Sequence, residues 1–189
     1  MLVNPPGPRF LYRGTVCTYL SKARYVWKPK DFILASGRIP PDWDAAFVDA
    51  AIHGLPPEEA LARAEAQAPD RIVLALSSIN WTEDLAFLRR LRERLPKAHL
   101  TVLGEVLLEP EYRARALAQA DAALFNPVHY DVAEASFPAP EGEPQKTGQP
   151  VALSTPRHAL FDHWRYRWPF NRHLRYAAVY TQYGCPYAC

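Results

Sequence analysis

Residues 71–77 read Arg-Ile-Val-Leu-Ala-Leu-Ser, and this continuous apolar run decides the fold. A strand with one face in water alternates apolar and polar residues, whereas an unbroken apolar run is typical of a strand covered on both faces. A helical pattern follows over residues 82–95, with Leu85, Leu88 and Leu91 at helical spacing. A buried strand that passes into such a helix is the repeating unit of a parallel sheet clothed by helices.

The same alternation of strand and helix extends in both directions along the chain. The pattern predicts strands over residues 1–4, 45–50, 71–77, 100–104 and 122–125, and helices over residues 30–38, 56–67, 82–95 and 110–119. Short connections between parallel strands require right-handed crossovers, so the simplest arrangement is a doubly wound five-stranded parallel sheet of flavodoxin-like order 2-1-3-4-5. Residues 9–27 show no clean period and are predicted to form an irregular excursion that carries Cys17.

The composition changes after this α/β pattern, which predicts a domain over residues 1–126. Residues 127–156 are polar and rich in proline, as is typical of a linker. Residues 157–189 are dense in aromatic side chains and arginine. Such a tail could stack on a nucleic acid strand, but the same residues are typical of an interdomain surface, and we favour docking.

Composition and charge exclude several classes of protein. The 189 residues are 49% hydrophobic, the formal net charge is +2, and no apolar run reaches the length of about 18 residues that a membrane span needs. Three cysteines with no apolar leader are not the pattern of a secreted disulfide scaffold. We therefore expect a cytoplasmic protein with no membrane partner, and nucleic acid is not a partner that the charge indicates.

Cys185 and Cys189 form a C-x-x-x-C pair directly after the strand-like residues 177–183 and Gly184. Thiolates on so short a loop are suitable ligands for an iron–sulfur cluster, and a third cysteine would be expected three residues later, beyond Cys189. A disulfide or two free thiols is the alternative interpretation of the pair alone.

This cysteine pair and its context resemble the radical S-adenosylmethionine enzymes, whose signature is C-x-x-x-C-x-x-C after the first strand of a barrel. The upstream segments resemble those members of the family that have an N-terminal cobalamin-binding domain. Residues 3–6 resemble its first strand and loop, and residues 70–78 resemble its third strand. Residues 155–157 resemble the approach to the barrel. The resemblance implies a 4Fe-4S cluster with Cys185 and Cys189 as ligands, S-adenosylmethionine, a small-molecule substrate, and the protein's own C-terminal barrel as partner. We expect the chain to be the N-terminal portion of such an enzyme, truncated within the motif and inactive alone.

The resemblance also implies a place for cobalamin across the carboxyl ends of the strands, with its nucleotide arm beside the first strand. The candidate cofactor-binding residues are the loop residues at those ends: Pro5, Pro6, Gly7, Ser77, Ser78, Gly104 and Asn126. No Asp-x-His-x-x-Gly motif follows strand one, and His53 follows strand two, so cobalamin would bind without a protein histidine. Gly104-Glu105 stands where cobalamin domains commonly have two glycines, so the alternative is a non-catalytic small-molecule-binding or interaction module that has lost cobalamin.

Overall fold

The computed structural model of the chain describes residues 1–23, 25–124, 155–162, 164–168, 170–173 and 176–178. Several predictions fall outside these residues: the strand end at Phe125, the candidate site residue Asn126, most of the linker, and the pair Cys185 and Cys189. The predicted domain boundary at residue 126 therefore stays a prediction.

The described residues form an α/β fold around a five-stranded parallel sheet, and its strand order confirms the predicted 2-1-3-4-5 arrangement. The strands are β1 (Leu2–Asn4), β2 (Leu11–Tyr12), β3 (Tyr19–Leu20), β4 (Phe47–Asp49), β5 (Arg71–Ala75), β6 (His99–Leu103) and β7 (Ala122–Leu124). The main sheet has the order β4-β1-β5-β6-β7. This topology is consistent with a flavodoxin-like fold.

Helices cover both faces of the sheet, as the unbroken apolar runs predict. The helices are α1 (Lys30–Ser36), α2 (Ala50–His53), α3 (Pro57–Ala66), α4 (Trp81–Arg94) and α5 (Pro110–Leu117), with 3-10 helices at Glu105–Leu108 and His158–Leu160. Ile72 and Leu74 of β5 pack in the core beneath α3, α4 and α5, whereas Val73 packs in the core beneath α1 and α2. Successive residues of a strand point to opposite faces, so β5 must be apolar throughout.

Three local predictions need correction. The excursion over residues 9–27 contains an antiparallel hairpin, in which β2 pairs with β3. The second strand of the sheet ends at Asp49 rather than Ala50, and the short helix α2 was not predicted. The last two differences have one cause: the Asp49 side chain accepts a hydrogen bond from the Ile52 backbone N–H at 3.0 Å and caps the helix.

The tail segment, defined as the described part of residues 155–178, packs on the α/β domain. Phe161 and Tyr166 are each only 2% exposed and belong to the core beneath α1 and α2. The Arg157 guanidinium donates to the carbonyl oxygens of Ile39 and Trp43, each at 3.0 Å. Two side chains of the tail segment, Phe161 and Tyr166, therefore belong to the domain's core.

Aromatic contacts extend this packing to the hairpin side of the domain. The Trp168 ring stacks on Trp27 with centroids 4.6 Å apart, and the Lys28 ammonium lies 4.8 Å from the centre of the Tyr176 ring. Each of these four side chains therefore has an aromatic or cation–π contact within the chain. Among the described residues, no helix is long and apolar enough to cross a membrane.

Candidate functional site

The candidate cofactor-binding residues follow the carboxyl ends of neighbouring strands. Pro5, Pro6 and Gly7 follow β1, Ser77 and Ser78 follow β5, and Gly104 follows β6. Because β1, β5 and β6 are parallel neighbours, the structure brings these residues to one edge of the sheet. This is the edge at which open α/β sheets bind ligands.

Arg13, which the sequence did not single out, lies at the centre of this edge. Its side chain is only 1% exposed and makes a bidentate ion pair with Asp84, with Nε–Oδ2 at 3.0 Å and Nη2–Oδ1 at 2.7 Å. The guanidinium also donates to the carbonyl oxygens of Pro5 (3.2 Å) and Pro6 (3.1 Å) and to Oδ1 of Asn4 (2.9 Å). One buried cation thus ties the loop after β1 to helix α4.

Asp84 extends the network to the loop after β5. Its carboxylate accepts hydrogen bonds from the Ser77 backbone N–H, the Ser77 hydroxyl and the Asn80 amide, each at 2.9 Å. The carboxylate itself is fully buried, so these donors and Arg13 replace the water that it loses. The Ser77 hydroxyl is therefore directed to a partner within the chain.

Glu105 makes a second junction, between the loop after β6 and the hairpin region. Its carboxylate accepts from the Ser78 backbone N–H at 3.0 Å, from the Ser78 hydroxyl at 2.7 Å and from the Thr18 hydroxyl at 2.5 Å. The Glu105 backbone N–H donates to the Gly14 carbonyl oxygen at 3.2 Å. The Ser78 hydroxyl, like that of Ser77, has its partner within the chain.

Gly104 has a reason within the fold for being glycine. Its φ is +148°, and a Cβ built there would lie 2.1 Å from the carbonyl oxygen of Leu76. The backbones of the β5 and β6 ends approach too closely for any side chain at this position. This close approach of the two backbones explains why position 104 is glycine, and a bound ligand is not needed to account for it.

A third polar group lies between β1 and β4. Asp49 accepts from the Asn4 amide at 2.8 Å and from the Tyr166 hydroxyl of the tail segment. Burial raises the pKa of Asp49, against the opposing effect of its hydrogen-bond donors. Burial and the adjacent Asp49 carboxylate raise the pKa of Tyr166 well above its usual value, so Tyr166 remains a protonated donor.

A cavity of about 10 Å³ adjoins these groups. Asn4, Arg13, Asp49 and Tyr166 are among the residues that line it. This volume accommodates about one water molecule. Small-molecule sites typically enclose about 300–1,000 Å³, so this cavity is not a cofactor pocket.

His53 lies at the end of α2, and its Nε2 is 3.3 Å from the Asp162 carboxylate of the tail segment. Its side chain is 27% exposed. This contact gives His53 a structural role in holding the tail segment.

The two candidate metal ligands, Cys185 and Cys189, lie outside the described residues. Cys17 has an exposed free thiol. Within the described ranges there is no group of three or more His, Cys, Asp or Glu side chains that could hold a metal ion. The cluster ligands therefore remain predictions from the sequence.

The sequence did contain a signal for one of the missed residues. Asp84 lies on the apolar stripe of α4, at helical spacing from Trp81, Leu88 and Leu91, and a carboxylate on a core-facing stripe requires a buried partner. Arg13 had no such signal, because no periodic pattern places residues 9–27.

Comparisons with known proteins add no family assignment. No protein-family model matches the chain, and no curated protein matches it at a significant level.

Proposed function

We propose that this chain is the N-terminal portion of a radical S-adenosylmethionine iron–sulfur enzyme, in which the α/β domain docks on the catalytic barrel. Cys185 and Cys189 would supply two thiolate ligands of the cluster. The cysteine spacing is the observation that supports the enzyme class, and the packing of the tail segment is the observation that supports the docking role.

The tail segment supports this role because buried contacts hold it to the domain at residues upstream of the cysteine pair. Tyr166 and Phe161 are in the core, and the described part of the tail reaches residue 178, only seven positions before Cys185. A chain anchored in this way cannot move independently of the domain up to its last buried contact. We therefore propose that the domain positions the part of the chain that leads towards the barrel.

The carboxyl edge of the sheet also has the exposed apolar side chains that an interaction surface needs. Val16 is 70% exposed, Ile79 50% and Leu108 62%. They are close in sequence to the groups that meet at the Glu105 junction, namely Gly14, Thr18 and Ser78. Contiguous exposed apolar side chains are typical of surfaces that contact another domain, and the proposal places these three side chains on such a surface.

The experiment is anaerobic expression of the complete open reading frame, followed by iron and acid-labile sulfide analysis and electron paramagnetic resonance of the reduced protein. We expect about four iron and four sulfide per chain if one 4Fe-4S cluster is bound. Cys185→Ala and Cys189→Ala should each abolish the cluster signal, whereas Cys17→Ala is the matched control and should retain it. A protein without a cluster, or a cluster unaffected by Cys185→Ala, would refute the proposal.

The second candidate is a non-catalytic interaction module. The observation that favours it is the edge of the sheet, where Arg13, Asp84 and Glu105 satisfy the loop groups that a ligand would otherwise contact. Absence of a cluster from the complete reading frame, with the α/β domain folded, would favour this candidate.

A further inference from the structure

We infer that the carboxyl edge of this sheet is closed to the nucleotide arm of cobalamin, because two groups of the chain's own side chains occupy the places that the arm would need. The inference concerns the α/β domain alone. It stands or fails separately from the iron–sulfur cluster, which depends on Cys185 and Cys189.

The first barrier is the Arg13–Asp84 ion pair beside β1, where the nucleotide arm would run. The two side chains are 1% and 0% exposed, so they fill the space between the loop after β1 and helix α4. A Cβ at Gly7 would already lie 2.7 Å from Arg13 Nη2 and 3.1 Å from Asn80 Nδ2. The loop and the guanidinium are thus in close contact, and no slot separates them.

Opening this barrier would be energetically costly. Arg13 donates to the Pro5 and Pro6 carbonyl oxygens as well as to Asp84. A ligand that displaced Arg13 would remove a donor from both carbonyls and leave the buried Asp84 carboxylate without its counter-charge, and breaking a buried pair on one side is strongly destabilising. The nucleotide arm carries an anionic phosphodiester, which cannot replace the guanidinium beside the buried Asp84 carboxylate.

The second barrier is Glu105, which follows β6 and whose carboxylate bridges the loop after β5 and the hairpin region. Its carboxylate joins Ser78 to Thr18, and its backbone N–H donates to Gly14. These contacts bring the region before β3 onto the end of the sheet. The serine hydroxyl that could have contacted a cofactor is bonded to Glu105 instead.

The test is a titration of the full chain with hydroxocobalamin and, in parallel, with cobinamide, which has the corrin ring but lacks the nucleotide arm. Binding is measured by co-elution in size-exclusion chromatography and by the shift of the visible corrin spectrum. We expect either no co-elution of the two corrinoids or equally weak binding of both, through surface contacts that do not involve the nucleotide arm. Stoichiometric hydroxocobalamin binding, at least about tenfold tighter than cobinamide binding, would mean that the arm enters the domain and would overturn the inference.

The variant Glu105→Gly tests which of the two barriers excludes the nucleotide arm. It restores two consecutive glycines while leaving Arg13 and Asp84 in place, so we expect it still to show no preference for hydroxocobalamin. Circular dichroism and thermal unfolding establish that the variant is folded. A gain of tenfold preference for hydroxocobalamin in Glu105→Gly would show that Glu105 alone closes the edge, and would contradict the assignment of the Arg13–Asp84 pair as a barrier.

Discussion

Replacing Asp84 by Asn tests whether the buried ion pair holds the carboxyl edge together. Asn has nearly the shape of Asp, so the substitution changes the charge with little change in packing volume. Arg13 would remain as a buried guanidinium without its counter-charge. The amide introduced at position 84 would also direct an NH₂ group at one of the donors that now face the carboxylate, from Arg13, Ser77 and Asn80.

The expected loss of unfolding free energy is about 3–5 kcal/mol, the usual cost of removing one partner of a buried pair. Small domains are stable by about 5–15 kcal/mol, so the variant should lose a large part of its stability. The control is Glu59→Gln, which breaks the exposed pair of Glu59 with Arg63, whose side chains are 47% and 52% exposed. Exposed pairs of this spacing contribute about 0.3–0.5 kcal/mol.

The assay is urea unfolding followed by circular dichroism at neutral pH, with the slope of each transition compared between variants. A double variant, Arg13→Met with Asp84→Leu, adds a second measurement, because replacing both charges by apolar side chains removes the uncompensated charge. We expect it to be more stable than Asp84→Asn, although the Pro5 and Pro6 carbonyls lose a donor and Ser77 and Asn80 lose an acceptor. If Asp84→Asn costs less than about 1 kcal/mol, similar to Glu59→Gln, the assignment of this pair as the centre of the edge is refuted.

Three further predictions concern single positions. Tyr166→Phe leaves one oxygen of Asp49 without its donor and should cost about 1–3 kcal/mol in urea unfolding; a loss below about 0.5 kcal/mol would count against an integral tail segment. Asp49→Asn tests the pH dependence of stability, because burial raises the pKa of Asp49 in the folded state above 3.8. The stability of the wild type should therefore fall relative to that of the variant as the pH rises from 3.8 through the folded pKa. Parallel pH profiles of stability for the two proteins would contradict this prediction. Gly104→Ala should destabilise severely or prevent folding, because its Cβ would lie 2.1 Å from a backbone oxygen. Gly54→Ala, whose Cβ would have no atom within 4 Å, should cost only about 1–2 kcal/mol. Equal thermal unfolding temperatures of the two variants would disprove the close approach at Gly104.

The arrangement of the sheet could be predicted because its signals are local. The unbroken apolar run over residues 71–77 indicates a strand covered on both faces, and the helical spacing after it indicates the crossover. Alternation of these units, together with the handedness of crossovers, restricts the strand order. The hairpin of β2 and β3 and the short helix α2 gave no such signal, because elements of two to four residues have too few positions to show a period.

The sequence by itself determined the class of fold, the order of the strands, and the edge where the loop residues Pro5, Ser77 and Gly104 meet. Only the tertiary structure decided what those residues do, because their partners are distant in the chain: Arg13 and Asp84 are 71 positions apart, and Tyr166 and Asp49 are 117 apart. A periodic pattern records which face a residue occupies, but a buried charge is stabilised by whichever group the whole fold brings within hydrogen-bond distance. For that reason the sequence could predict which loop residues meet at this edge, but not that Arg13, Asp84 and Glu105 would be their hydrogen-bond partners.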